Sequence, residues 1–147
     1  MIVCRTLGPV EVTVDGEPAP PELLWRKHLA LLVYLARSPR QTRSRDHLTA
    51  LLWADRNEAA ARHSLSEALR VLRRHAGAEA LEVAVGQVGL APDAVELDVD
   101  RLEQLAAGED WSAAAELVVG EFLEGFGVPD ATAFEDWLAA EREHWRR

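Results

Sequence analysis

Residues 57–77 read NEAAARHSLSEALRVLRRHAG, and the organisation of the chain follows from them. Ala61, Leu65, Ala68, Leu69 and Leu72 recur at helical spacing, which puts an apolar stripe on one face. Arg62, Ser66, Arg70 and Arg73 recur at the same spacing on another face, with His63 and Arg74 beside them. Asn57 suits the N-cap, Glu58 the positive end of the helix dipole, and Gly77 the stop. The pattern predicts a helix buried on one side and presenting arginines on the other. A solvated face on an ordinary amphipathic helix has the same pattern, so the flanking segments decide between the two.

Upstream, Ile2 to Thr6 and Val10 to Val14 are β-prone runs parted by Gly8-Pro9, and Asp15-Gly16 is a turn signal. They predict a small antiparallel sheet, stopped by Pro18, Pro20 and Pro21. Leu23 to Arg37 reads as a helix with Leu24, His28, Leu31, Leu32 and Leu35 inward and Trp25 and Tyr34 as packing residues. Ser38-Pro39 closes it. Residues 40–45 read as a loop that carries Arg40, Arg43 and Arg45, either a solvated linker or a cluster of phosphate contacts. Ser44 caps a short helix from Arg45 to Trp53. Downstream, Leu81 to Leu90 alternates around Gly86-Gln87 and reads as a β-hairpin. Small sheet, three helices and hairpin follow one another in the order of a winged helix, with residues 57–75 as the recognition helix and the hairpin as the wing.

Beyond Pro92 the register changes to short helices, with a break at Gly120 to Pro129 that holds Phe122, Phe126 and two more glycines. Short helices are expected from Val99 to Gly108, from Asp110 to Val119, and after Thr132-Ala-Phe-Glu135, which has the form of a capping box. Phe134, Trp137, Leu138 and Trp145 line one face of the last helix. Short helices and tight turns suggest a partial helical-repeat unit of the tetratricopeptide (TPR-like) kind. The fold class expected is α+β: a winged helix over 1–92, followed by all-α helices over 93–147.

Charge divides the same way. The chain carries −9, yet residues 1–75 hold 12 Lys and Arg against 8 Asp and Glu, and residues 76–147 hold 4 against 17. A basic half joined to an acidic one fits local nucleic-acid binding despite the negative total. The single cysteine, Cys4, cannot form an internal bridge and fits a reducing cytoplasm. A leader is not evident, and the longest apolar stretch, Leu29 to Ala36, is too short to span a membrane; a cytoplasmic location without membrane contact is expected.

Several stretches resemble a known family. Leu7-Gly8-Pro9-Val10, Asp15-Gly16, Ser44-Arg45-Asp46-His47-Leu48, Leu52-Trp53 and Ala61-Arg62-His63-Ser64-Leu65 are similar to the DNA-binding domain of SARP-type bacterial transcriptional regulators. Gly120-Glu121-Phe122-Leu123-Glu124-Gly125-Phe126, Phe134-Glu135-Asp136-Trp137-Leu138 and Glu141-Arg142 are similar to their bacterial transcriptional activation domain, BTAD. The resemblance implies an OmpR-type winged helix followed by part of a BTAD, which in the family continues for several more helices. Two features depart from it: Glu67 interrupts the basic face, and the hairpin from Leu81 to Pro92 has no Lys or Arg.

Catalytic chemistry finds little support. The phosphate-cradling form GxxxxGK[ST] and a dinucleotide fingerprint are both missing, and His28, His47, His63, His75 and His144 show no metal-ligand spacing. No enzyme activity, cofactor or metal is expected. The first functional reading is a sequence-specific regulator of promoter-region double-stranded DNA. Arg40, Arg43, Arg45, Arg62, His63, Ser66, Arg70, Arg73 and Arg74 would contact the duplex. Phe134, Trp137 and Trp145 would contact a protein, RNA polymerase or a second copy of the chain. The alternative, favoured by Glu67 and a hairpin without Lys or Arg, is a protein–protein interaction module on a winged-helix scaffold that has lost DNA binding.

Overall fold

A computed structural model describes residues 1–146. Two short N-terminal strands, β1 (Ile2–Arg5) and β2 (Glu11–Val14), pair antiparallel, with Ile2 opposite Val14. The two-residue β3 (Glu17–Pro18) extends them through the Asp15-Gly16 turn. Three helices follow: α1 (Arg26–Arg37), α2 (Arg45–Leu52) and α3 (Glu58–Ala76). Between α1 and α2 lies β4 (Thr42–Ser44), which joins the hairpin of β5 (Leu81–Ala84) and β6 (Gln87–Leu90) in a sheet ordered β4-β6-β5. Then β7 (Val95–Leu97) returns to lie parallel to β1, with Ile2 opposite Val95. Helices α4 (Asp98–Ala107), α5 (Trp111–Leu117) and α6 (Thr132–Trp145) complete the described chain, which is of mixed α+β class.

The β1–β7 pairing brings residues from both sides of Pro92 into one sheet, and a single hydrophobic core runs from Ile2 through α1, α2 and α3 to Phe122, Phe134 and Leu138. The carboxylate of Asp98 fastens the same junction. It accepts the backbone N–H of Thr6 and of Leu7, both at 2.9 Å, and the Thr6 hydroxyl at 2.5 Å. Leu7-Gly8-Pro9 and Gly120–Glu124 lie side by side: Gly8 N donates to Glu121 O at 3.0 Å and Glu124 N to Gly8 O at 3.1 Å. Gly8 holds φ at +132°, and a Cβ there would stand 3.3 Å from that of Val119, so this close approach requires glycine. Arg142 of α6 then donates to the carbonyls of Phe122, Leu123 and Phe126 at 2.8–3.0 Å, closing the glycine-rich turn.

Several local expectations need correction. The first predicted helix starts late: Pro21–Leu24 forms a 3-10 turn, which leaves Leu24 and Trp25 exposed. Residues 40–45 are not a free loop: Pro39–Gln41 forms a 3-10 turn that carries Arg40, Thr42–Ser44 is an edge strand that carries Arg43, and Arg45 opens α2. The Thr132–Glu135 capping box does not form, because the helix begins at Thr132 itself, with Ala131 as its N-cap. Helix α5 ends at Leu117, and Trp111 and Val118 stand out in solvent.

Candidate nucleic-acid interface

Asn57 Oδ1 accepts the Ala60 N–H at 2.9 Å and starts α3; Gly77, with φ at +105°, ends it. Ala61, Leu65, Ala68, Leu69, Val71 and Leu72 are buried, so Arg62, His63, Ser66, Arg70, Arg73 and Arg74 face solvent along the 19-residue helix.

Different structures border that face on its two flanks. On one flank, Arg45 at the start of α2 donates from Nη2 to Ser66 Oγ at 3.0 Å, and its backbone N–H donates to Gly86 O at 2.9 Å. The hairpin turn, Arg45 and Arg62 thereby surround one shallow groove that also includes Asp46 and Thr49. Glu22 holds the other flank, accepting Arg74 Nη1 at 3.0 Å and meeting His75 Nε2 at 2.6 Å. Trp25 lies on this side with His63 and Glu67.

Acidic side chains temper the arginines. Glu58 pairs with Arg62, and Glu67 pairs with Arg70 at 2.7 Å. The hydrogen bond from Arg70, more than any other influence, holds the Glu67 carboxyl below the usual carboxylate range. The His75 hydrogen bond, then Arg74, does the same to Glu22. The guanidinium groups of Arg73 and Arg40 have no hydrogen-bond or ion-pair partner among the described residues.

Arg43 departs from the role assigned to it from sequence. Its Nε donates to Ser38 Oγ at 2.9 Å, and its guanidinium lies 5.1 Å from the centre of the Tyr34 ring. The Tyr34 hydroxyl meets His47 Nε2 at 2.6 Å. Burial, and secondarily the Arg43 charge, hold His47 below its ordinary pKa, so the neutral imidazole can accept from the hydroxyl.

Of the side chains expected to meet a protein partner, Phe134 is core, and Trp137 and Trp145 are partly buried against it. Phe134 is 0% exposed, between Phe126 and Trp137. Trp137 sets its ring edge-on to Tyr34 at 5.0 Å and to Phe122 at 6.1 Å, which couples α6 to α1. The glycine-rich turn and α1 cover Phe134 fully and Trp137 in part, so the two do not form an open contact stripe. Trp145 is partly buried: its Nε1 donates to Glu141 at 2.9 Å, and the Arg37 guanidinium stands 5.2 Å from its ring.

Sequence reasoning assigned no role to Arg37 or Asp98. Arg37 Nη1 reaches Asp100 at 3.0 Å and Glu103 at 2.6 Å, joining α1 to α4, with Glu141 of α6 alongside. Its sequence signal was a charged residue closing an otherwise apolar run.

No family model matches the chain, and no curated protein matches it in sequence. Among solved structures it is similar to EmbR of Mycobacterium tuberculosis, determined in complex with a low-affinity phosphopeptide. The TM-score is 0.71 at 25% identity, over 97% of this chain and 42% of that one. The likeness supports a SARP-like fold, and the chain spans less than half the length of that neighbour.

Proposed function

We propose that this chain is a DNA-binding transcription regulator of the SARP type, with a winged helix that presents α3 to the major groove and β4-β6-β5 as its wing. The observation that carries this reading is the joining of Arg45, Ser66 and Arg62 beside the hairpin turn. Arg62, Ser66 and Arg70 are assigned to base edges, and Arg40, Arg45, Arg73 and Arg74 to phosphates. The lack of Lys and Arg in the hairpin is less of an obstacle than its sequence suggests, since Arg45 at the start of α2 is bound through its backbone N–H to Gly86 in the hairpin turn. The helices after β7 serve protein contact, through surfaces other than Phe134 and Trp137.

The carboxylates on Arg62, Arg70 and Arg74 are the specific observation in favour of an interaction module without DNA binding. These pairs lie at the surface: Arg62, Arg70 and Arg74 side chains are 61%, 58% and 48% exposed. Exposed ion pairs are weak and screened, so a phosphate can replace the carboxylate. DNA binding therefore remains the preferred reading. A gel-shift titration of the chain against genomic fragments at two salt concentrations tests it, with retention of discrete fragments and a steep salt dependence expected. Failure to retain any fragment at low salt would leave the interaction module.

A further inference from the structure

The β5–β6 hairpin turns on Val85 and Gly86, with Ala84 opposite Gln87. Val85 is entirely exposed, and Val83 on the same strand is 46% exposed. This apolar tip is held in a fixed place. Gly86 O accepts the Arg45 N–H at 2.9 Å, and β4 pairs with β6 so that Ser44 stands opposite Gln87. The side chain of the same arginine reaches Ser66 Oγ at 3.0 Å. Arg45 thus has the hairpin turn at its backbone end and the solvent face of α3 at its guanidinium end. With α3 in the major groove and Arg45 on a phosphate of the wall beside it, the turn faces the next recess along the duplex, the minor groove.

We propose that Val85 enters that minor groove and selects A·T over G·C pairs there, by shape rather than by charge or hydrogen bonding. The inference rests on the DNA-binding reading and deepens it. The minor groove is about 6 Å wide, and its floor differs between pairs chiefly by the guanine amino group, which only G·C carries. That group projects into the space the valine methyls need, and an apolar side chain strips its water without offering an acceptor. At an A·T pair the space is free, and the methyls meet the C–H faces of the sugars. Residues 81–92 hold no Lys or Arg, so the tip has no cation with which to grip phosphate. Glu82, further back on β5 and exposed, and Asp46, beside Arg45 and Gly86, repel phosphates and confine the contact to the tip.

The test is a gel shift of the full chain on the genomic fragment it retains best, with each base pair of the site exchanged among A·T, G·C and inosine·C. Inosine·C keeps the hydrogen-bonding groups that G·C shows in the major groove and lacks the minor-groove amino group. At one pair flanking the α3 contacts, A·T and inosine·C should bind alike and about tenfold tighter than G·C. Val85→Ala should lose that preference. It should also weaken binding about tenfold, as two methyl groups return to water, with the slope against log salt unchanged because no counterion is involved. Val85→Lys should steepen that slope by roughly 0.9. Equal binding by the parent and Val85→Ala overturns the inference and leaves the DNA-binding reading intact. So does inosine·C that behaves as G·C at every pair, and so does a slope that Val85→Lys does not move. A parent chain that retains no fragment takes down the DNA-binding reading and the inference together.

Discussion

Arg62 and Arg43 carry the same charge, yet the structure uses them differently. Arg62 lies exposed beside Arg45 and the hairpin turn, paired among the described residues with Glu58, whereas Arg43 is held by Ser38 and the Tyr34 ring. If Arg62 makes a bidentate guanine contact, Arg62→Ala should cost about 1–3 kcal/mol on the preferred fragment and little on random DNA. Equal losses on both would reduce it to a phosphate contact. Removing Arg40 or Arg45 should flatten the slope of log affinity against log salt by roughly 0.9 each. Arg43→Ala should leave that slope unchanged and instead lower the denaturation midpoint, because its guanidinium packs within the fold. At Glu67 the partner is Arg70, so Glu67→Gln releases a guanidinium as well as removing a negative charge, and non-specific binding should tighten. Unaltered affinity for random DNA would place that flank of α3 away from the duplex.

At the scale of elements, α6 acts as a clamp on the glycine-rich turn. Arg142 serves three carbonyls at once, and a lysine, with a point charge and no planar fork, cannot reproduce that arrangement. Arg142→Leu should destabilise the fold by on the order of 3 kcal/mol in urea unfolding, and Arg142→Lys should recover only part. Full recovery by lysine would mean that charge rather than the three-way geometry matters. Trp25 makes the opposite case. Its apolar ring suggested packing, but it is 61% exposed where the 3-10 turn meets α1, so Trp25→Ala should leave stability within about 0.5 kcal/mol of the parent.

Across the whole molecule, Cys4 reports on the junction of the two halves, since it lies in β1 opposite Leu97 of β7 and is fully buried. Burial, with a smaller contribution from the Asp98 charge, raises its thiol to about 12. The folded chain therefore holds this proton where the unfolded chain releases it. The stability linked to the thiol is complete below the ordinary thiol pKa, about 8.5, and is lost as pH rises towards about 12. Urea midpoints should fall over that window more steeply in the parent than in Cys4→Ala, and native Cys4 should resist a thiol reagent at pH 8. Prompt labelling without denaturant would show that β7 leaves β1 readily.

The sequence by itself determined what depends on neighbours within a few positions. The stripe from Ala61 to Leu72, the Asn57 cap and the Gly77 stop define α3, and alternation around Gly86 defines the hairpin, because helical period, capping and turn chemistry are local. Residues 42–44 and 95–97 were not legible as strands. Each is only three residues long, and each exists through hydrogen bonds to a distant partner, β6 in one case and β1 in the other. Only the tertiary structure decided that Phe134 is core and Trp137 packs partly buried against it, that Trp111 does not, and that Arg45 rather than Arg43 joins Ser66 on the α3 face. An aromatic at helical spacing marks a face without saying what covers it, and an arginine in a basic run marks charge without saying which neighbour claims it. Both depend on how segments far apart in the chain come together.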